Sequence, residues 1–171
     1  MEELGPTFIK LGQLLSTRPD LVSDEYIREF EHLQDQVTPE KYETIRQQVA
    51  SQLGGFPEDI FESFDPVPIA AASIAQVHRA KTKDGDEVVV KIRRPNVVKN
   101  LQTEMEILQD VAGLVKSRMR FPKAFDPVRM VREFSEAVTK EVDLVNERRN
   151  QQRFIQNFKD DPTVHVPRVF E

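Results

Sequence analysis

The chemistry of this chain is concentrated in two lysines, three carboxylates and a run of alanines. Lys91 closes the β-branched run Val88-Val89-Val90 and is followed by Ile92. An ammonium in such a run is costly unless it is paired or lies at an edge. Two readings are open: a cation that holds nucleotide phosphates and is itself held by a carboxylate, or an edge-strand lysine that discourages aggregation. Upstream, Pro68-Ile69-Ala70-Ala71-Ala72-Ser73 is a loop of mostly small residues feeding a strand. Small-residue loop, strand, turn and lysine-bearing strand follow in the order of a phosphate site built on a hairpin. Alanine lacks glycine's access to positive φ. Ala70, Ala71, Ala72 and Ser73 therefore wrap amides around a phosphate less readily than a glycine loop does. Close packing under a bend is the plainer alternative.

Glu141, Asp143 and Glu147 lie further on. On one continuous helix Asp143 and Glu147 share a face. That pair invites a cation or a metal, or is a solvated acidic face beside Arg148 and Arg149. Glu141 then points about 120° away from Glu147, so the three do not converge on one ligand. Near the start, Lys10 and Gln13 are three apart, on the face away from Phe8. Gly12 between them costs roughly 1 kcal/mol in a helix relative to alanine. Either another backbone approaches it closely, or the helix is an ordinary amphipathic one with a tolerated glycine. His32, His78 and His165 have no metal-ligand spacing, and no metal site is assigned. His78 is read as packed or edge-exposed, without a catalytic role.

The elements that position these groups follow from periodicity. Residues 1–62 read as helical. Leu4, Phe8, Leu11 and Leu15 form one stripe, Tyr26, Phe30, Leu33 and Val37 a second after a Ser23 N-cap, and Tyr42, Ile45, Val49 and Leu53 a third. Thr38-Pro39 is expected to start the third helix and Gly54-Gly55 to end it. Residues 64–93 read as strands, with Lys83-Asp84-Gly85-Asp86 as a hairpin turn. Val88, Val90 and Ile92 should face one way, Val89 and Lys91 the other. A long helix carries Val98, Leu101, Met105, Leu108, Ala112, Val115 and Met119; packing on its own domain is favoured over a coiled-coil seam. A last single helix is expected from about 128 to 159. Val131, Phe134, Val138, Val142 and Val145 lie on one side of it, and Leu144, Phe154, Ile155 and Phe158 roughly opposite, so it is expected to be sandwiched between layers. A strand is expected over 164–170. The fold class is α+β, a small antiparallel sheet with long helices around it.

With 171 residues the chain is long enough for a real core. The net charge of −5 argues against an unspecific nucleic-acid binder. The absence of cysteine excludes disulfides and thiolate metal sites. No run is apolar enough to cross a membrane, and no signal-peptide pattern opens the chain. The chain opens in helix-like and closes in strand-like sequence, so a piece of a longer protein is expected.

Together these segments resemble the UbiB/ADCK family of atypical, protein-kinase-like proteins. Phe8-Ile9-Lys10-Leu11-Gly12-Gln13 through Arg18-Pro19-Asp20 looks like its KxGQ motif, and Ala70 through His78 like its alanine-rich loop. Val90-Lys91-Ile92 looks like the nucleotide-lysine strand, and Glu141-Val142-Asp143 with Glu147 like its ExD motif and helix glutamate.

The resemblance implies a helical extension over 1–62 and a kinase-like N-lobe over 63–171, with a helical insertion at about 97–120 and no C-lobe. It implies that Lys91 contacts the α/β-phosphates of ATP and pairs with Glu147. The Ala70–Ser73 loop would replace a glycine-rich lid. Lys10 and Gln13 would roof the pocket, and Glu141 and Asp143 would meet Lys10. It further implies ATPase or kinase chemistry in support of ubiquinone or other prenyl-lipid synthesis. Mg²⁺ would be held only with the missing C-lobe, which leaves this piece inactive alone. Partners would be ATP or ADP and membrane-associated lipid-synthesis proteins or prenyl-lipid intermediates, with the protein cytoplasmic or peripheral at a membrane. The rivals are a non-catalytic pseudokinase scaffold for lipid-synthesis enzymes, and a helical adaptor that pairs through the 98–119 seam.

Overall fold

The computed structural model describes residues 6–17, 19, 22–31, 38–119 and 126–170. Leu4, Arg18, Asp20, His32, Leu33 and Val37, all used in the sequence reading, lie outside them. Helices α1 (Pro6–Ser16), α2 (Asp24–Glu31), α3 (Tyr42–Leu53) and the single turn α4 (Pro57–Ile60) come first. Strands β1 (Phe61–Phe64), β2 (Ala70–Ala71), β3 (Ala75–Thr82) and β4 (Glu87–Arg93) follow. Helices α5 (Val97–Arg118), α6 (Pro127–Val142) and α7 (Leu144–Asn157) complete the α+β architecture.

β3 is the spine of the sheet. β4 pairs antiparallel along one edge, from Ala75↔Arg93 to Lys81↔Glu87. β1 and β2 share the other edge, β1 on the Ala80–Thr82 half and β2 on the Gln76–Val77 half. The β3–β4 turn closes where expected: Gly85 takes φ +93°, a left-handed conformation open to glycine at no steric cost.

Two cores flank the sheet. Beneath it, Ile45 and Val49 of α3 meet Ile92, with Ile60, Phe64 and Val90 around them. Beside it, Leu101, Met105 and Leu108 of α5 and Phe134, Val138 and Val142 of α6 pack with Ile74, Ala75 and Val97, and Phe8 and Leu11 of α1 pack against this cluster. The α5 seam is therefore filled from within the chain by α6 and α1. Val97, not Val98, is its first buried residue, and Val98 and Met119 are exposed. Both 97 and 98 lie at helical spacing from Leu101, so periodicity alone did not choose between them.

Three further expectations are corrected. α3 starts at Tyr42 rather than Thr38-Pro39. Thr38 O accepts from Arg94 Nη2, and Glu40 N donates to Gln76 Oε1, so bonds to the sheet hold this stretch out of the helix. The last helix is broken at Asp143 (φ −83°, ψ 89°). α7 contains no buried residue and is not sandwiched, and Val145, Phe154 and Phe158 are exposed. Residues 164–170 form no strand. They have no ladder partner; Gln151 Nε2 of α7 donates to Pro167 O instead.

Capping and charge fix the helix starts. Glu104 of α5 accepts from Thr7 N at 3.1 Å, a carboxylate at the start of α1 where helix amides are unpaired. Asp126 caps α6 by accepting from Val128 N, and its hydrogen bond from Lys116 holds its carboxyl below the usual aspartate range.

Candidate functional site

The break between α6 and α7 builds the site. The Asp143 carboxylate accepts from Val145 N (3.0 Å) and Asn146 N (3.1 Å), the two amides that an N-cap satisfies. α6 thus ends with Glu141 in its last turn, and α7 restarts with Glu147 in its first. The two glutamates serve different lysines. Glu141 Oε1 accepts from Lys10 Nζ of α1 at 2.5 Å. Both Glu147 oxygens accept from Lys91 Nζ of β4, at 2.8 and 2.9 Å.

Asp143 is therefore not the second acid on Lys10, nor does it share a face of one helix with Glu147; it is spent on capping. Replacing it with alanine is expected to cost about 1 kcal/mol. It should also speed hydrogen exchange at the Val145 and Asn146 amides, with Glu147 loosened from Lys91.

Lys91 projects from the sheet face opposite Ile92. Lys91 pairs with Val77, and Val77 with Ala70. Paired residues point the same way, so the ammonium and the alanine loop lie on one face across three strands, about 10 Å apart by strand spacing. Ala70 and Ala71 are themselves strand β2. Ala72 N donates to Ala75 O to close the turn, and Ser73 is buried. The alanines thus belong partly to the ladder and partly to a tight turn.

Gly12 is buried in α1, and Gln13 is partly buried one turn beyond Lys10. His78 is fully buried, stacks on Phe64 and bonds Asp65 O and Gln76 Nε2, so it is packed rather than edge-exposed.

Arg93 was missed by sequence reasoning. Two residues beyond Lys91 and on the same face, its Nη1 donates to Val142 O, the last carbonyl of α6. β4 is thereby bolted twice to the α6–α7 junction. The i+2 spacing on a strand was the signal available for it.

The Lys91 side chain is 41 % and Glu147 50 % exposed, so the pair is reachable from solvent. Two of the three ammonium hydrogens are engaged and one remains for an anionic oxygen. Among the described residues no group of three His, Cys, Asp or Glu side chains could hold a metal ion. No metal-dependent step is assigned to these residues.

Comparison with known proteins now decides the family. Residues 32–171 match the ABC1 atypical kinase-like domain. This chain belongs to the ABC1 atypical kinase-like family. It is 41 % identical over 169 residues to "Probable protein kinase UbiB" of Cellvibrio japonicus, covering 99 % of this chain and 31 % of that protein. A Pseudomonas aeruginosa protein of the same name is 38 % identical over 170 residues, covering 99 % of this chain and 32 % of its own length. The chain thus spans about a third of the curated relatives it matches. A Mycobacterium tuberculosis protein, solved in complex with erythromycin, superposes with a TM-score of 0.65 at 30 % identity, covering 94 % of this chain and 40 % of that one. The sequence-level recognition and the kinase-like α+β fold both hold.

Proposed function

We propose that this ABC1-family chain is the ATP-binding portion of a UbiB-type atypical kinase or ATPase that supports ubiquinone or other prenyl-lipid synthesis. The bidentate Lys91–Glu147 bridge carries this reading. It sets an ammonium at a fixed point beside the alanine turn, with one donor left for a phosphate oxygen. Glu147 orients the lysine. Lys10, held by Glu141, brings the α1 motif to the same junction, and Gln13 follows it along that helix. The Ala70–Ser73 segment, on the Lys91 side of the sheet through the Ala70–Val77–Lys91 pairing, is the proposed lid over the phosphates. ATP or ADP is the nucleotide ligand, because the UbiB relatives are named as kinases and a kinase transfers a phosphoryl group from ATP. Membrane-associated lipid-synthesis proteins or prenyl-lipid intermediates are the proposed partners. No described helix is long and apolar enough to cross a membrane; the proposed location is cytoplasmic or peripheral at a membrane.

The second reading is the non-catalytic scaffold. The bridge argues against it, because a vestigial site would be free to lose either partner of the pair. Thermal stabilisation of the full-length protein by ADP tests the choice: dependence on Lys91 supports the nucleotide site, and no response supports the scaffold. The 171-residue chain alone is expected to hydrolyse no ATP above background, since it spans only about a third of the length of the kinase-named relatives it matches. Phosphate release that is fast and lost in Lys91→Ala would contradict this.

A further inference from the structure

We infer that Arg94 is a positioning residue that locks the alanine turn, the segment leading into α3 and the end of β4 into one arrangement beside Lys91. This rests on the nucleotide reading only for its functional consequence; the clamp itself is geometric.

Every nitrogen of the guanidinium is used. Nε donates to Ala72 O at 2.9 Å, Nη1 to Glu40 Oε1 at 2.8 Å and Nη2 to Thr38 O at 2.7 Å. The Arg94 amide donates to Ile74 O at 2.9 Å. One residue thus holds the turn at both Ala72 and Ile74, three positions after the lysine. The side chain is only 12 % exposed. Such a planar fork with partly desolvated acceptors gives charge-assisted bonds of defined direction.

The clamp continues into the sheet. Glu40 N donates to Gln76 Oε1 at 2.9 Å. The Gln76 amide nitrogen therefore faces His78, donating to Nε2 at 2.8 Å. Asp65 O can only accept, so His78 Nδ1 carries the hydrogen and donates to it at 2.8 Å. Gln76 and His78 are fully buried. A continuous polar path thus runs from Asp65 through His78, Gln76 and Glu40 to Arg94 and Ala72. The turn cannot shift relative to β4 without breaking bonds at both ends of Arg94.

Lysine is the informative replacement. An ammonium at 94 can keep the Glu40 ion pair but cannot span all three acceptors. In the full-length protein, Arg94→Lys is expected to keep most of the unliganded stability while weakening ADP binding roughly tenfold. Hydrogen exchange should rise at the Ala72 and Glu40 amides, whose acceptors are Ala75 O and Gln76 Oε1. Arg94→Ala should do both more strongly. Calorimetric ADP titration of wild type and both variants, with exchange on the same samples, tests this. Wild-type exchange at those two amides in Arg94→Lys overturns the clamp, whether or not ADP binds. Faster exchange with unchanged ADP affinity overturns the positioning role. Failure of the wild type itself to bind ADP defeats the nucleotide reading, and the exchange result still decides the clamp.

Discussion

Lys91→Ala is expected to remove between about half and nearly all of the ADP-dependent thermal stabilisation of the full-length protein while leaving its unliganded stability nearly intact. The two halves have separate causes. The Lys91–Glu147 pair is about half exposed, and such pairs contribute about 0–1 kcal/mol. A hydrogen bond to a charged phosphate contributes about 1.5–3 kcal/mol, so its loss weakens binding roughly 10- to 150-fold. ADP at 100 times its dissociation constant stabilises a protein by about 2.7 kcal/mol, and a hundredfold loss of affinity leaves about 0.4 kcal/mol at the same concentration. Differential scanning fluorimetry with and without ADP reads the difference. An equal ADP shift in the variant would take the lysine out of the site. Glu147→Gln should fall between the two, because the amide still positions the ammonium without its charge.

Phe134→Ala should have the largest effect on the fold, about 3–5 kcal/mol for an aromatic deleted from a packed core. Phe134 is 6 % exposed. It sits in the cluster that joins α5 and α6 to Ile74 and Ala75, against which Phe8 and Leu11 of α1 pack. Its loss should therefore loosen the Lys10–Glu141 contact along with the core. Phe154→Ala is the matched control: Phe154 is 49 % exposed on α7 and should cost well under 1 kcal/mol. Denaturant unfolding of this chain measures both. Similar costs for the two would show that the α5–α6 core does not carry the stability assigned to it.

How much of this was legible depends on the range of the interaction that decides each feature. The hairpin was readable because Asp84-Gly85 and the alternation of Val88 to Ile92 are local. So was the end of α3, where Gly54 adopts φ +78°. The pairing of Lys91 with Glu147 came from the resemblance, and from the physical point that a strand lysine needs a partner. The break at Asp143 was hidden because the apolar spacing runs on across it, and an aspartate inside an apparent helix reads as surface before it reads as a cap. The same misreading put Asp143 on one face with Glu147, whereas its placing with Lys10 came from the resemblance. The false strand at 164–170 and the early start of α3 share one cause. Both depended on long-range partners, Pro167 with Gln151 in one case and Thr38 with Arg94 in the other. Arg94 was invisible for the same reason, since its acceptors are 22 to 56 residues away in sequence.

Phosphate-specific binding is the most direct test of the central claim. ADP and adenosine should be titrated calorimetrically into full-length wild type and Lys91→Ala. ADP should bind wild type at least tenfold more tightly than adenosine, and that gap should close in the variant with adenosine affinity unchanged. A gap of the same size in both proteins would show that the ammonium on β4 holds no phosphate.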